Sequence, residues 1–380
     1  MAREPVLVDL ALQGGGAHGA FTWGVLDRFL EEEWLTLDAI SGTSAGAMNG
    51  AVLAGALATG GRTQAREALE GFWRKVSVAA AFSPFQRTPL DVAMGRWSLD
   101  HSPTFLAMDL MARVFSPYEL APFAANPLEA ILAECVDFAA LADSPVRLYV
   151  TATNVRTGRP RIFRAGAVTP QALLASACLP TMFQAVEIEG EAYWDGGYSG
   201  NPTMTPLISA HEASDTIIVP INPIERPGTP TSARDILNRL NEVSFNAVLL
   251  KELRMIALLR GVAAQLPPGA LKGEAGAWAR MRIHSVRNGV MAGLGYSSKL
   301  NAEWAFLTML RDKGREAAAE FLAEHADALG KRSTLPIERL ALDEDGLGED
   351  EVAARLQAMA APAPTAAPPR SARKGRAPAA

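Results

Sequence analysis

Apolar positions along this chain alternate between short continuous runs and stripes of helical period, which predicts strands and helices in turn. Residues 6–12 form a nearly unbroken apolar run interrupted only by Asp9, which predicts a buried strand. The triplet Gly14-Gly15-Gly16 ends it, and Phe21, Val25, Leu26 and Phe29 then fall on one face of a helix over 18–33. Residues 37–41 predict a second short buried strand. The run 45–59 predicts a helix of small residues suited to close packing under a sheet, and 64–76 an amphipathic helix. Further on, 146–153 predicts a strand with 161–164 as its partner, and 169–178 a helix stopped before Pro180. Residues 185–188 and 192–194 predict a hairpin around Glu189-Gly190-Glu191, and 216–220 another buried strand.

After Pro230 the period becomes helical. Ile236, Leu237, Leu240, Val243, Ala247 and Val248 recur near 3.6 residues over 231–259, and further helices are predicted over 301–310, 315–329 and 346–359. The acidic patch Asp343-Glu344-Asp345 reads as a solvated turn. No repeat of 20 to 50 residues is visible, so a solenoid or propeller is excluded. Residues 79–115 follow neither period. They are broken by Pro84, Pro89 and Pro103 and rich in Phe82, Phe85, Met94, Trp97, Phe105, Met108 and Met111. That composition suits an adaptable apolar flap, or equally the core of a helical insertion. The organisation expected is an α/β unit over 1–225, a helical extension packed on it over 226–360, and a disordered Pro/Ala-rich tail over 361–380 carrying four basic and no acidic residues.

Composition narrows the chemistry. The 380 residues are 49% hydrophobic and 20% charged, enough for a sizeable core. The net charge of −5 argues against a nucleic-acid partner. Two cysteines, Cys135 and Cys178, exclude a disulfide scaffold, and the five histidines lack metal-binding spacing, so neither a metal nor another cofactor is expected. The uncharged stretches 39–61 and 165–186 are too rich in glycine or proline to read as membrane spans. The opening apolar run is too short for a secretory signal. The expectation is a cytoplasmic protein, with peripheral membrane contact as a further option; the oligomeric state stays open.

The sharpest motif is Gly42-Thr43-Ser44-Ala45-Gly46, which follows a predicted strand and opens a predicted helix. In such an elbow a tight turn exposes the serine hydroxyl, and the amides at the helix start, Ala45 first, face developing negative charge. A second glycine loop, Gly14-Gly15-Gly16-Ala17-His18-Gly19, also links strand to helix, and its amides make a nest that completes an oxyanion hole. The same letters fit G-x-G-x-x-G, with Asp38 near the spacing of a ribose-binding acid, so a dinucleotide-binding oxidoreductase is a rival reading. Against it, Asp38 precedes most of the second strand, whose end is occupied by Ser41 to Ser44. Among the late histidines, His284 and His325 lie in helical patterns and read as surface or packing residues, and His211 reads as a helix-end residue. Asp195, in Trp194-Asp195-Gly196-Gly197, is the better partner for Ser44 because the glycines let the turn aim a carboxylate into a cleft.

These three segments, in this order, resemble the patatin-like phospholipase family across residues 6–219. The stretches 175–180 and 200–202 look like the family's as well. The resemblance implies a three-layer α/β/α hydrolase with a mainly parallel central sheet. It also implies a Ser44–Asp195 dyad without histidine, and an oxyanion hole from the loop Gly14 to Gly16 with Ala45. One departure is His18, where the family often has arginine. The function expected is hydrolysis of lipid acyl esters of the phospholipase A or lysophospholipase type, its substrate met through transient contact with a membrane surface. A non-catalytic lipid-binding or regulatory role and hydrolysis of another acyl ester or a thioester are the alternatives.

Overall fold

The computed structural model describes residues 3–120, 126–208, 212–287 and 289–339. His211, the expected helix over 346–359 and the Pro/Ala-rich tail lie outside the described residues. Strand β1 (Val6–Leu12) leads through the glycine turn into α1 (Gly19–Phe29), followed by β2 (Leu35–Thr43) and the long α2 (Ala45–Ala80). Gly61, at φ +76°, breaks α2 where the two separate helices were expected. Five shorter helices follow: α3 (Pro89–Ala93), α4 (Pro103–Met111), α5 (Pro117–Leu120), α6 (Pro127–Cys135) and α7 (Phe138–Ala142). Next come β3 (Arg147–Asn154), β4 (Pro160–Arg164), α8 (Pro170–Ser176), β5 (Val186–Ile188), β6 (Glu191–Asp195) and β7 (Asp215–Val219). The chain continues through α9 (Ala233–Ala264), α10 (Gly273–Arg280), β8 (Arg282–Ser285) and α11 (Trp304–His325).

All eight strands join one sheet, in the order β5-β6-β3-β2-β1-β7-β8 with β4 on β3. The run from β3 to β8 is parallel, and β4, β5 and β6 pair antiparallel. Alternation along the strands splits the core in two. Val8, Leu10, Leu12 and Ile40 face α1, α2 and α11, whereas Ala11, Ala39, Ile218 and Ile283 pack with Leu249, Leu253 and Ile256 of α9 and Trp278 of α10. The architecture is therefore the expected three-layer α/β/α sandwich.

The C-terminal region departs from its sequence reading in two ways. It supplies a strand as well as helices, because β8 pairs in parallel with β7. His284 consequently sits on a buried strand instead of a helix, held between Asp215 Oδ1 (2.9 Å) and Thr334 Oγ1 (3.0 Å). The two helices expected over 301–310 and 315–329 are one helix, α11, which runs through Gly314. A Cβ at Gly314 would lie 2.1 Å from the Phe21 carbonyl oxygen, and one at Gly24 only 1.9 Å from that of Arg311. The glycines there serve close crossing of α1 and α11 and are not breakers. Asp27 of α1 and Glu31 in the turn after it then hold Arg315 and Arg66.

Little of the aromatic segment 79–115 is core: Leu99 is buried and Trp97 stacks on Phe306, but most of its large apolar side chains face solvent. No residue of α4 is buried, and Phe82, Leu90, Leu110 and Val114 are 88%, 65%, 64% and 69% exposed. The first half of α9 presents Ile236, Leu237, Leu240 and Val243 to solvent as well. An exposed apolar surface of this extent on one region marks a contact surface more often than a monomer's ordinary scatter.

The helix crossing gives a test of stability. Gly24→Ala is expected to destabilise the protein by roughly 1–3 kcal/mol, the usual cost of overpacking. The midpoint of urea unfolding should fall, while Gly71→Ala, at a half-buried glycine with open space where a Cβ would go, should leave it unchanged or raise it.

Candidate active site

The site begins with a register. β3 pairs along one edge with β4, and its other edge is shared end to end by two strands. β2 occupies it up to Thr43, opposite Thr151, and β6 takes over at Asp195, opposite Ala152. The next residue of β3 thus carries the next strand. Ser44 and Asp195 are brought together because β2 and β6 arrive head-on at the same place on β3.

Both chains must leave that meeting point sharply. Ser44 does so at φ +53°, a left-handed conformation that a non-glycine residue adopts only under constraint, and α2 starts immediately after it. Gly46 lets the helix start press against β1, since a Cβ there would lie 2.3 Å from the Leu12 carbonyl oxygen. Gly42 similarly leaves room for Ala47, and Thr43 Oγ1 donates to the Gly200 carbonyl at 2.7 Å. On the opposing side Gly196 takes the turn against Thr151, where a Cβ would meet the carbonyl oxygen at 2.0 Å.

The Ser44 hydroxyl comes close enough to Asp195 to favour its charged form, and the Gly197 amide donates to Asp195 Oδ1 at 2.7 Å. Asp195 is 2% exposed. Burial pushes its carboxyl up to about 7, against the opposing pull of the Gly197 amide, the Ser44 hydroxyl and the Lys299 charge. The C-terminal end of α8 clamps both partners: Ser176 Oγ accepts from the Ser44 amide at 2.8 Å, and the Cys178 carbonyl accepts from the Asp195 amide at 2.8 Å.

The glycine loop lies against this pair, a Cβ at Gly14 being 2.6 Å from that of Ser44. Gly16 takes φ +59°, which opens the nest. Among the described residues no hydrogen bond engages the amides of Gly15, Gly16 or Ala45. Gly14 differs from its sequence reading: its amide donates to Asn201 Oδ1 at 2.6 Å, so it fixes the loop and is not free for an oxyanion. Its carbonyl accepts from Asn222 Nδ2 at 3.0 Å, and Gln13 accepts from the amides of Ile221 and Asn222. Ala17 and Gly19 pack beneath the loop, Gly19 against Ala45.

His18 is buried, its Nε2 at 2.8 Å from Ser298 Oγ and its ring edge-on to Phe306. Burial, with Lys299 and Arg226 nearby, pushes it well below its ordinary value, so the ring is neutral. Asp38 lies toward the other end of β2, pairing with Arg147 and accepting from the Glu212 and Ala213 amides at 3.0 Å. It is committed to the scaffold and unavailable to a ribose. His325 ends α11 against Phe321. No cluster of three or more metal-binding side chains occurs among the described residues.

Sequence reasoning missed Ser176, Asn201, Asn222 and Lys299. Only the likeness of 175–180 and 200–202 to family segments signalled the first two. Access is limited. Ser44 is 7% exposed, and a narrow crevice lined by His18, Ile221, Asn241, Tyr296 and Lys299 is not lined by Ser44 or Asp195.

No curated protein matches this sequence. Among solved structures, VipD from Legionella pneumophila is similar over 85% of this chain and 67% of its own, at 15% identity and a TM-score of 0.39. ExoU from Pseudomonas aeruginosa, in complex with SpcU, is similar over 94% and 91%, at 13% identity and a TM-score of 0.30. Residues 10–208, slightly more than half of the chain, match the patatin-like phospholipase family. The chain belongs to that family of lipid hydrolases.

Proposed function

We propose that this protein hydrolyses acyl esters of lipids, of the phospholipase A or lysophospholipase type, through a Ser44 acyl-enzyme with Asp195 as general base. The observation that carries the reading is the strand junction that sets a strained elbow serine against a buried carboxylate, whose pKa is raised to about 7. An ordinary carboxylate is too weak a base for a serine hydroxyl. Raised to near neutrality, it accepts the proton more readily and is still ionised at working pH.

In this mechanism Ser44 Oγ attacks the ester carbonyl as Asp195 takes its proton. The amides of Gly15, Gly16 and Ala45 stabilise the oxyanion. Collapse expels the alcohol, to which Asp195 returns the proton, and a water activated by Asp195 releases the fatty acid from Ser44. No metal or cofactor enters. The Met- and aromatic-rich segment 79–115 and the first half of α9 offer the apolar contact with a lipid aggregate from which a substrate passes to the buried serine. No helix among the described residues is long and apolar enough to cross a membrane, and such contact would be peripheral.

Ser44→Ala and Asp195→Asn should each lower hydrolysis of p-nitrophenyl esters and phospholipids by at least about 10³-fold, judging from the cost of removing one member of a serine hydrolase site. Circular dichroism should remain unchanged; substantial hydrolysis by Ser44→Ala sinks the reading. The pH profile follows from the sign of the Asp195 shift. Below about 7 the folded carboxyl is protonated and cannot accept, so kcat/KM should rise roughly tenfold per pH unit up to that value before flattening. A limb near pH 4 would mean that the base is not this carboxyl. Leu110→Asp combined with Val114→Asp should reduce hydrolysis of vesicular phospholipid several-fold and leave a soluble short-chain ester unaffected. Equal loss on both substrates would place these residues in structure instead of lipid contact.

A further inference from the structure

The site is completed from outside the matched region, by the stretch 296–303 that precedes α11. This stretch touches the glycine loop and the exposed apolar segment at once. Ser297 Oγ accepts from the Leu99 amide at 3.0 Å and donates to Asp100 Oδ1 at 2.7 Å. Asn301 Nδ2 donates to the Trp97 carbonyl at 3.0 Å, and Glu303 holds Arg87 through both oxygens. Toward the loop, Ser298 bonds His18. Between them stands Lys299.

Lys299 meets the nest in two ways. Its carbonyl oxygen lies where a side chain on Gly16 would be, 2.4 Å from an ideal Cβ. Its ammonium donates to Asn222 Oδ1 at 2.7 Å and to Asn241 Oδ1 at 2.8 Å. Asn222 in turn donates to the Gly14 carbonyl, so a chain of two hydrogen bonds joins the ammonium to the loop. The rings of Phe245 and Tyr296 lie 5.7 and 5.6 Å from Nζ and wall off water. Both asparagine contacts are made through neutral oxygens. Glu242, the nearest acid on α9, is spoken for by Arg226 at 2.6 Å. A buried ammonium without a dedicated carboxylate is costly, and its field is felt by whatever charge appears nearby.

We propose that Lys299 is a positioning residue of the hydrolytic site: it sets the glycine loop and directs positive potential at the Ser44–Asp195 pair and the oxyanion formed there. This rests on the esterase reading above. With His18 neutral and the nearby Arg226 held by Glu242, Lys299 is the cation that meets the nest among the described residues. The ionisable groups facing Asp195 are Cys178, Tyr198, Tyr296 and Lys299; those facing Lys299 are His18, Asp195, Arg226, Glu242 and Tyr296. Burial draws the Lys299 ammonium down to about 8, with Glu242 and Asp195 opposing, so it loses its charge within a measurable range.

The test compares wild type, Lys299→Met, Lys299→Arg and Ser44→Ala on a neutral p-nitrophenyl ester and on phospholipid. Wild-type kcat/KM should fall again above about pH 8 as Lys299 deprotonates. Lys299→Met should lose about 10- to 100-fold in kcat on both substrates with little change in KM, and its acid limb should move to higher pH because Asp195 loses a cation. Lys299→Arg, charged at every pH used, should recover much of the rate and abolish the alkaline fall. If Lys299→Met fails to fold, Lys299→Arg still decides: an unchanged alkaline fall overturns the proposal. So does a Lys299→Met enzyme with wild-type kcat and pH profile, or an effect confined to KM for phospholipid. Hydrolysis that survives in Ser44→Ala defeats the underlying esterase reading instead, and the assignment with it.

Discussion

Two strands share one edge of β3, and they meet head-on with one residue of register between them. That constraint decides the site. Thr43 is the last residue of β2 that β3 can pair, and Asp195 is the first position at which β6 can pair beyond it. Neither strand can continue through the other, so both must turn, and the residues at the turns have their side chains thrust at one another. The left-handed φ of Ser44 and the glycines after Asp195 are the local conformations that such a collision demands. The strain is maintained because backbone groups on either side are already engaged: the Ser44 amide by Ser176, the Asp195 amide by Cys178, and the Thr43 hydroxyl by Gly200. The geometry of the candidate site follows from sheet pairing, which is among the stiffest parts of a fold.

The same junction explains the electrostatics. Asp195 is enclosed because two strand ends, α8 and the glycine loop converge on it. Enclosure raises its pKa, and one backbone amide and one distant ammonium hold it short of permanent protonation. Asp9, in mid-strand on β1, has partners of the same kind, the Ala39 amide and the Arg147 charge, and shows what enclosure does when other acids stand close by. Burial and the neighbouring Asp38 push its carboxyl to about 8, and one of its oxygens has no hydrogen bond. Two buried aspartates in one sheet therefore end close in acidity for different reasons. Asp9 is kept protonated at neutral pH because the charges of Asp38 and Asp215 add to burial, while Asp195, with a hydroxyl, an amide and an ammonium set against burial alone, is poised near neutrality.

What could be read from the sequence was what is local. The strand-to-helix turns at 14–19 and 42–46 and the Asp-Gly-Gly turn at 195–197 are set by residues adjacent in the chain, because only glycine fits their backbone contacts. The meeting of Ser44 with Asp195 was legible through family resemblance, since nothing in the spacing of 151 residues shows that β6 lands on the end of β2. Lys299, Asn222 and Asn201 were illegible for the same reason: each acts across more than 180 residues from the loop it supports. Gly314 misled in the opposite sense. A glycine inside a helical period usually marks an end, but here it lets α11 pass within van der Waals reach of α1. His284 misled because a four-residue buried strand carries too few positions to display a period of two.

The apolar stripe at the start of α9 shows where periodicity itself is ambiguous. Ile236, Leu237, Leu240 and Val243 read as a core face, and the second half of the same helix does bury Leu249, Leu253 and Ile256 against the sheet. The first half runs on beyond the sheet, so an equally apolar stripe stays in water beside the half-exposed side chains of 79–115. A stripe of period 3.6 specifies that a face will be covered, not that the chain itself will cover it. Both uncovered surfaces connect to the stretch 296–303, through Asn238 to Tyr296 and through Trp97 to Asn301. The rigid nest and the loosely packed apolar surface are thus joined through eight residues.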